Sequence, residues 1–176
     1  MAMLFKRFIP YAHSGSLYEI DIDFFKRNNV KTLFMDLDNT LDSYRAREPK
    51  ENTIEYVQKL KDVGITPVII SNNKYKRVSG YANLLGVECL ASARKPFSKR
   101  LKGEILKRGL SNDDVMLVGD QMMTDVLAAK GAGIRVVLTE KLVKEDQWTT
   151  HINRLFDRPI RKYHKKRNNL IDWRNK

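Results

Sequence analysis

The stretch VKTLFMDLDNT, residues 30–40, decides the fold. It begins as a nearly continuous apolar run rich in strand-forming residues, and its second half carries two acidic side chains, Asp36 and Asp38. A strand that is buried on both faces has such a run, because helices cover both sides of a parallel sheet. The stretch therefore predicts a central strand with carboxylates at its carboxyl end.

Further apolar runs follow along the chain and alternate with segments of helical spacing. The segment 49–63, for example, repeats apolar residues such as Val57 and Leu60 at the interval of a helix turn. The further predicted strands are 65–73, 87–92, 114–120 and 134–139. This alternation predicts an α/β fold, a Rossmann-like three-layer sandwich with a central parallel sheet of about five strands.

Two flanks surround the predicted core over 30–140. Residues 1–29 predict a lead-in helix, and residues 160–176 predict a basic tail. Between core and tail, residues 141–159 predict a helix that packs on the sheet and that ends or kinks at Pro159. The apolar residues that carry this last helix prediction are Trp148, Ile152, Leu155 and Phe156.

Charge is unevenly distributed over the chain. The 176 residues include 33 Lys+Arg and 21 Asp+Glu, which gives a net charge of +12. Residues 151–176 alone hold nine Lys/Arg against two Asp. This balance indicates a polyanionic partner, which composition leaves open between nucleic acid, an anionic membrane surface and a phosphorylated ligand.

Composition also excludes some classes of protein. A single cysteine, Cys89, excludes an internal disulfide. No apolar run approaches the roughly 18 residues of a membrane span. The start of the chain is interrupted by Lys6 and Arg7 and does not resemble a secretory signal. We expect a cytoplasmic protein that at most rests on the inner face of a membrane.

Polar side chains follow the predicted strands where each strand ends. They are Asp36, Asp38, Ser71, Asn72, Lys95, Asp120 and Asp125. Because the carboxyl ends of parallel strands meet at one edge, we expect these side chains in one crevice. Neighbouring carboxylates repel unless a cation lies between them, and Mg²⁺ prefers oxygen ligands. A metal, carboxylates, a lysine and hydrogen-bond donors together suit phosphoryl transfer.

Each of these residues taken alone has a simpler interpretation. Asp38 with Asn39 could form a turn after a strand, and Asp125 could cap a helix. Ser71 is an ordinary loop residue, and Lys95 could be a solvated surface lysine. The functional interpretation therefore depends on their occurring together and in order.

The four segments together resemble the motifs of the haloacid dehalogenase-like (HAD) phosphatases, subfamily IIIA. The segments are DLDNT (36–40), Ser71, Lys95 before a proline, and GDQMMTD (119–125). The resemblance implies that Asp36 is the nucleophile, which forms an aspartyl-phosphate and ligates Mg²⁺. Asp38 would protonate the leaving group, then activate water, and offer its backbone carbonyl to the metal.

The same resemblance implies the remaining roles. Asp120 would ligate the metal, and Thr40 would steady the loop. Ser71 through its hydroxyl and Asn72 through its backbone N–H would bind phosphoryl oxygens. Lys95 would hold the phosphate and offset the charge of the nucleophile. Asp125 would orient Lys95 or a metal-bound water.

The spacing of the motifs bears on the substrate. Asp36 and Ser71 are 35 positions apart, and Lys95 and Asp120 are 25 apart, which leaves no room for a sizeable cap domain. An open site favours a macromolecule or a headgroup at a membrane surface. The finer pattern is similar to the mitochondrial-type phosphatidylglycerophosphate phosphatases and their bacterial relatives, which implies a lipid phosphate as substrate.

Two alternatives remain open. The open site could act on a phosphoprotein, a nucleotide or another soluble phosphate. The chain could instead be a basic RNA- or ribosome-binding protein on an inactive phosphatase fold, although a pure binder has no need of the complete set of motifs. The basic tail fits peripheral contact with an anionic surface, where each Lys/Arg contributes about 1 kcal/mol.

Overall fold

The computed structural model describes residues 5–142 and 148–176, with the side chains of residues 148–156 outside that description. The apolar face predicted at Trp148, Ile152, Leu155 and Phe156 therefore lies outside the described side chains. The residues that are described form one sheet with helices on both of its faces.

The sheet contains six parallel strands in the spatial order β1–β6–β5–β2–β3–β4. The strands are β1 (Ala12–Ser14), β2 (Thr32–Asp36), β3 (Thr66–Ile70), β4 (Glu88–Leu90), β5 (Val115–Gly119) and β6 (Arg135–Thr139). Phe34 of β2 pairs with Val68 on one side and Leu117 on the other, so β2 lies inside the sheet. This confirms the α/β fold and the central position of the first predicted strand.

The sequence predicted about five strands, and the sixth is β1. It lies within the predicted lead-in and pairs with β6 at the edge of the sheet. Three residues, Ala12, His13 and Ser14, are too few and too polar to give the apolar run on which the other strands were recognised. Pairing with a strand more than a hundred residues later is what makes this short segment a strand.

The helices divide between the two faces of the sheet. They are α1 (Ile22–Arg27), α2 (Glu51–Asp62), α3 (Tyr75–Leu85), α4 (Lys99–Lys107), α5 (Leu127–Ala132) and α6 (Trp148–Lys166). Successive residues of β2 point to opposite faces, so Leu33 and Met35 join the core under α1, α2 and α3, whereas Phe34 joins the core under α4 and α5. These two cores make the molecule a three-layer sandwich.

The C-terminal region differs from its prediction in one respect. Helix α6 continues through Pro159 to Lys166, so the predicted boundary between helix and tail falls inside a helix. The chain then returns to the body, where the Ile171 carbonyl accepts a hydrogen bond from the His13 N–H at 2.8 Å. The ring of Trp173 is buried against Phe24, with ring centroids 5.8 Å apart.

No cap domain and no membrane-spanning helix occur within the described ranges. The connection from β2 to β3 contains a loop and α2, and that from β4 to β5 contains α4 and a short 3₁₀ turn. Among the described residues, no helix is long and apolar enough to cross a membrane. Helices α2 and α4 pack against the faces of the sheet. In these two connections, therefore, only loops lie over the carboxyl edge of the sheet.

Candidate active site

A buried lysine joins two carboxylates at the carboxyl edge of the sheet. Asp36 is the last residue of β2, and Lys95 lies in the loop after β4. The Lys95 Nζ is 2.6 Å from Asp36 Oδ1 and 2.6 Å from Asp125 Oδ1, and its side chain is only 3% exposed. The structure thus brings together three residues that lie in three separate motifs.

Electrostatics distinguish these groups from ordinary surface side chains. Burial raises the pKa of Asp36 well above its usual range, and Asp125 and Asp120 add to this effect against the opposing Lys95 ammonium. Burial alone would lower the pKa of Lys95, but the charges of Asp125 and Asp36 outweigh it and raise that pKa. Lys95 is therefore a permanent cation in the crevice.

Three carboxylates form a cluster that fits a metal ion. One ligand oxygen from each of Asp36, Asp120 and Asp125 lies within 4.8 Å of the other two, and all three residues are buried. Lys95 offsets one of the three negative charges, so a divalent cation would balance the other two. Carboxylate oxygens are the ligands that Mg²⁺ prefers. A bound cation would also lower the pKa of Asp36 again, because it favours the ionised form.

The loop after β5 gives Asp125 its place in this cluster. Residues Met122–Val126 form a π-helical turn, a local geometry that is frequent at functional sites. The Asp125 carboxylate folds back and accepts a hydrogen bond from the Gln121 N–H at 3.1 Å. A Cβ on Gly119 would lie 2.3 Å from Asp125 Cγ, so this conformation requires glycine at position 119.

Ser71 and Asn72 lie beside the cluster, and the side chain of Asn72 has a contact that the sequence did not reveal. Its Oδ1 accepts a hydrogen bond from the Lys95 N–H at 2.7 Å, and its Nδ2 donates to the Lys95 carbonyl at 2.9 Å. Asn72 therefore fixes the backbone of Lys95. The buried Ser71 Oγ accepts from the Asn73 N–H at 3.1 Å, which orders the loop after β3.

The Asp38 side chain has its partners outside the buried cluster. Its Oδ1 is 2.6 Å from Nη2 of Arg77, and its Oδ2 accepts a hydrogen bond from Nδ2 of Asn73. Arg77 also donates to the Ala46 carbonyl at 3.2 Å, and so connects α3 with the loop after β2. Neither Arg77 nor Asn73 was predicted, because an arginine on a helix and an asparagine in a loop carry no distinctive spacing.

Two further residues of the loop after β2 are buried. Thr40 is 1% exposed, in the turn that follows Asp38. Asp42, which lies outside the predicted site residues, is equally buried. Its Oδ2 accepts hydrogen bonds from Tyr81 Oη at 2.6 Å and Thr53 Oγ1 at 3.2 Å. This carboxylate ties the loop after β2 to α2 and α3, and the only signal for it was a third aspartate in DLDNTLD.

Comparisons with known proteins agree with this geometry. Residues 92–158 match the family model described as HAD-hydrolase-like. The chain is 32% identical over 158 residues to the probable phosphatase YqeG of Bacillus subtilis strain 168, an alignment that covers 90% of this chain and 92% of that protein.

Solved structures share the fold. A putative 3-deoxy-D-manno-octulosonate 8-phosphate phosphatase from Vibrio cholerae superposes with a TM-score of 0.55 at 16% identity, over 73% of this chain and 78% of its own. The cobalt-bound deoxy-D-mannose-octulosonate 8-phosphate phosphatase of Haemophilus influenzae gives 0.50 at 12% identity, over 66% and 81%. At such identities the likeness concerns the fold alone.

Proposed function

This chain belongs to the HAD-like phosphatases, and we propose that it hydrolyses a phosphomonoester through an aspartyl-phosphate formed on Asp36. The observation that carries the proposal is the Lys95 ammonium, held 2.6 Å from Asp36 Oδ1 within a buried acidic cluster. A lysine so placed leaves the second oxygen of Asp36 available for attack and offers a fixed positive charge to the phosphoryl group.

The reaction divides into two displacements on phosphorus. In the first, a carboxylate oxygen of Asp36 forms a bond to phosphorus, the bond to the leaving oxygen breaks, and Asp38 gives that oxygen a proton. In the second, water attacks the same phosphorus, Asp38 takes its proton, and the bond to Asp36 breaks to release inorganic phosphate. Arg77 and Asn73 hold the Asp38 carboxylate between these steps.

The other residues bind and orient the phosphoryl group. Lys95 neutralises its charge, and the Ser71 hydroxyl and the Asn72 N–H donate to its oxygens, an arrangement that stabilises the transition state electrostatically. Asp36 and Asp120, with the Asp38 carbonyl, would hold Mg²⁺. When bound, the ion supplies Lewis-acid stabilisation of the phosphoryl oxygens. Asp125 acts through Lys95, whose Nζ it contacts at 2.6 Å.

For the substrate we favour phosphatidylglycerophosphate at an anionic membrane surface on the cytoplasmic side. The open carboxyl edge on the described connections and the similarity to phosphatidylglycerophosphate phosphatases support this choice. The exposed cations of the C-terminal region support it too, among them Lys165 and Lys166 of α6. Such cations favour contact with anionic lipid by electrostatic attraction.

The proposal can be tested with phosphatidylglycerophosphate in vesicles. Phosphate release is measured in the presence of Mg²⁺ for wild type and for Asp36→Asn. We expect release by wild type and none by the variant. Release from an aryl phosphate but not from the lipid would reject the lipid and leave a phosphatase of soluble substrates.

The RNA-binding alternative needs a separate measurement. Salt-dependent RNA binding is expected from the net charge of +12 alone and does not discriminate. If Asp36→Asn leaves the cellular function of the protein intact, hydrolysis is not that function, and the alternative of a binding protein on an inactive fold gains support.

A further inference from the structure

Helix α6 reaches the acidic loop that follows β5, although no motif extends to this helix. Asp157 is 5% exposed, and its Oδ1 accepts a hydrogen bond from the Met123 N–H at 2.9 Å. Met123 lies in the π-helical turn between Asp120 and Asp125. The loop that carries two of the three clustered carboxylates, Asp120 and Asp125, is therefore held near its middle by a side chain from α6.

A second residue of α6, one helical turn later, fastens the beginning of the same loop. The Arg161 guanidinium donates to the Asp120 carbonyl at 2.6 Å and to the Thr139 carbonyl at 3.3 Å. These carbonyls lie at the carboxyl ends of β5 and β6, which are neighbours in the sheet. Arg161 thus ties two adjacent strand ends together at the edge where the acidic cluster lies.

Arg161 is itself held in place by acidic partners. Its Nη1 is 3.1 Å from Glu140 Oε2, and its Nε is 3.7 Å from Asp157 Oδ2. Glu140 also contacts His13 Nε2 at 3.0 Å, which extends the connection to β1. A guanidinium can make this fork of directed hydrogen bonds, whereas a lysine ammonium cannot reproduce its geometry.

We propose that Asp157 and Arg161 are positioning residues, which hold the loop 119–125 so that Asp120 meets Asp36 as a divalent-cation site and Asp125 meets Lys95. They contact the backbone of the loop and act through it on the ligands. This inference deepens the proposed function, on whose metal site it rests. It also means that α6 completes the active site and that residues beyond 156 are not a detachable tail.

The test measures Mn²⁺ binding directly, by electron paramagnetic resonance or calorimetry, together with the Mg²⁺ concentration that half-activates hydrolysis of an aryl phosphate. For Arg161→Met we expect both constants to weaken by about 10- to 100-fold, the effect typical of residues that orient metal ligands. Lys162→Met is the matched control, because Lys162 lies on the same helix, carries the same charge and is exposed. It should leave both constants unchanged.

Two conservative variants keep the test informative if Arg161→Met does not fold. Arg161→Lys retains the positive charge but cannot form the forked hydrogen bonds of a guanidinium. We expect this variant to bind Mn²⁺ more weakly while its circular dichroism spectrum remains native. Asp157→Asn retains an acceptor for Met123, and it should weaken Mn²⁺ binding less than Arg161→Lys. Wild-type Mn²⁺ affinity in both folded variants would overturn the inference.

The outcomes separate this inference from the proposed function. If wild type binds Mn²⁺ but releases no phosphate from any substrate, the proposed function fails, and the binding data still decide on Asp157 and Arg161. If wild type binds no divalent cation, the metal site fails and this inference fails with it.

Discussion

Two aspartates of the same motif, two residues apart, lie in different surroundings. Asp36 is buried with Lys95, Asp120 and Asp125, and its side chain is 10% exposed. Asp38 lies nearer the surface, 19% exposed, and Arg77 and Asn73 hold it from the neighbouring helix and loop. The proposed nucleophile thus belongs to a buried charge cluster, whereas the proposed proton carrier belongs to the rim of the site.

This difference predicts how each region responds to change. When a buried charge loses its partner, the remaining charge is uncompensated. In the cluster around Asp36, a substitution should therefore lower both the free energy of unfolding and the rate of hydrolysis. At the rim, water can replace a lost partner of Asp38. Loss of such a partner should therefore affect mainly the step in which the Asp38 carboxylate acts. Substitutions in the two regions should therefore differ in the size and in the kind of their effect.

Removing the central cation should damage both stability and activity. Lys95→Met leaves Asp36 and Asp125 without the ammonium that each contacts at 2.6 Å. We expect a loss of about 3–5 kcal/mol in the free energy of unfolding, as for a broken buried ion pair. Hydrolysis should fall by about 10³-fold, since a fixed stabilising charge is lost.

Guanidinium denaturation and single-substrate kinetics with Mg²⁺ measure these two effects. Lys99→Met is the control, because Lys99 is exposed at the start of α4. An Lys95→Met protein within tenfold of wild-type activity would contradict the central role of this cation.

Changing the rim should produce a loss that depends on the leaving group. Arg77→Met removes the ion pair that holds Asp38 at 2.6 Å. Alkyl phosphates need the leaving oxygen to be protonated, so we expect their kcat to fall by about 10²-fold. An aryl phosphate with an acidic leaving group needs no such proton, and its kcat should change little.

The measurement is kcat over a series of phosphates of increasing leaving-group pKa. Lys76→Met, on the exposed side of the same helix, should give the wild-type slope. An equal loss for every leaving group would show that Arg77 only maintains the local structure.

The third aspartate of the motif should affect stability alone. Tyr81→Phe removes the hydroxyl that donates to Asp42 Oδ2 at 2.6 Å. Burial, and then Asp42, raises the pKa of Tyr81, so the phenol remains a neutral donor. A hydrogen bond to a charged group contributes about 1.5–3 kcal/mol, and we expect a loss of this size in urea denaturation. A reduced kcat in the folded variant would assign Asp42 to the catalytic region instead.

Sequence was sufficient for the parts of the molecule that local pattern determines. Strands buried on both faces give continuous apolar runs, and all carboxyl ends of a parallel sheet meet, so Asp36, Lys95 and Asp125 could be placed together before any coordinates. Arg77, Asp157 and Arg161 could not be found in this way. Charged residues on helices are ordinarily solvated, and only the folded chain brings these three to backbone groups and side chains that are distant in sequence.

The edge strand β1 has a consequence for the order in which the protein is made. Ala12–Ser14 pairs with Val137–Thr139, and His13 also meets Asp172, so its partners leave the ribosome more than a hundred residues later. The four strands β2 to β5 can assemble during synthesis, while β1 has no partner in the sheet until β6 follows. Contacts of such sequence separation slow folding. During synthesis, β1 therefore cannot complete its pairing until β6 has been made, and Arg161, which lies later in the chain, cannot reach the acidic site before then.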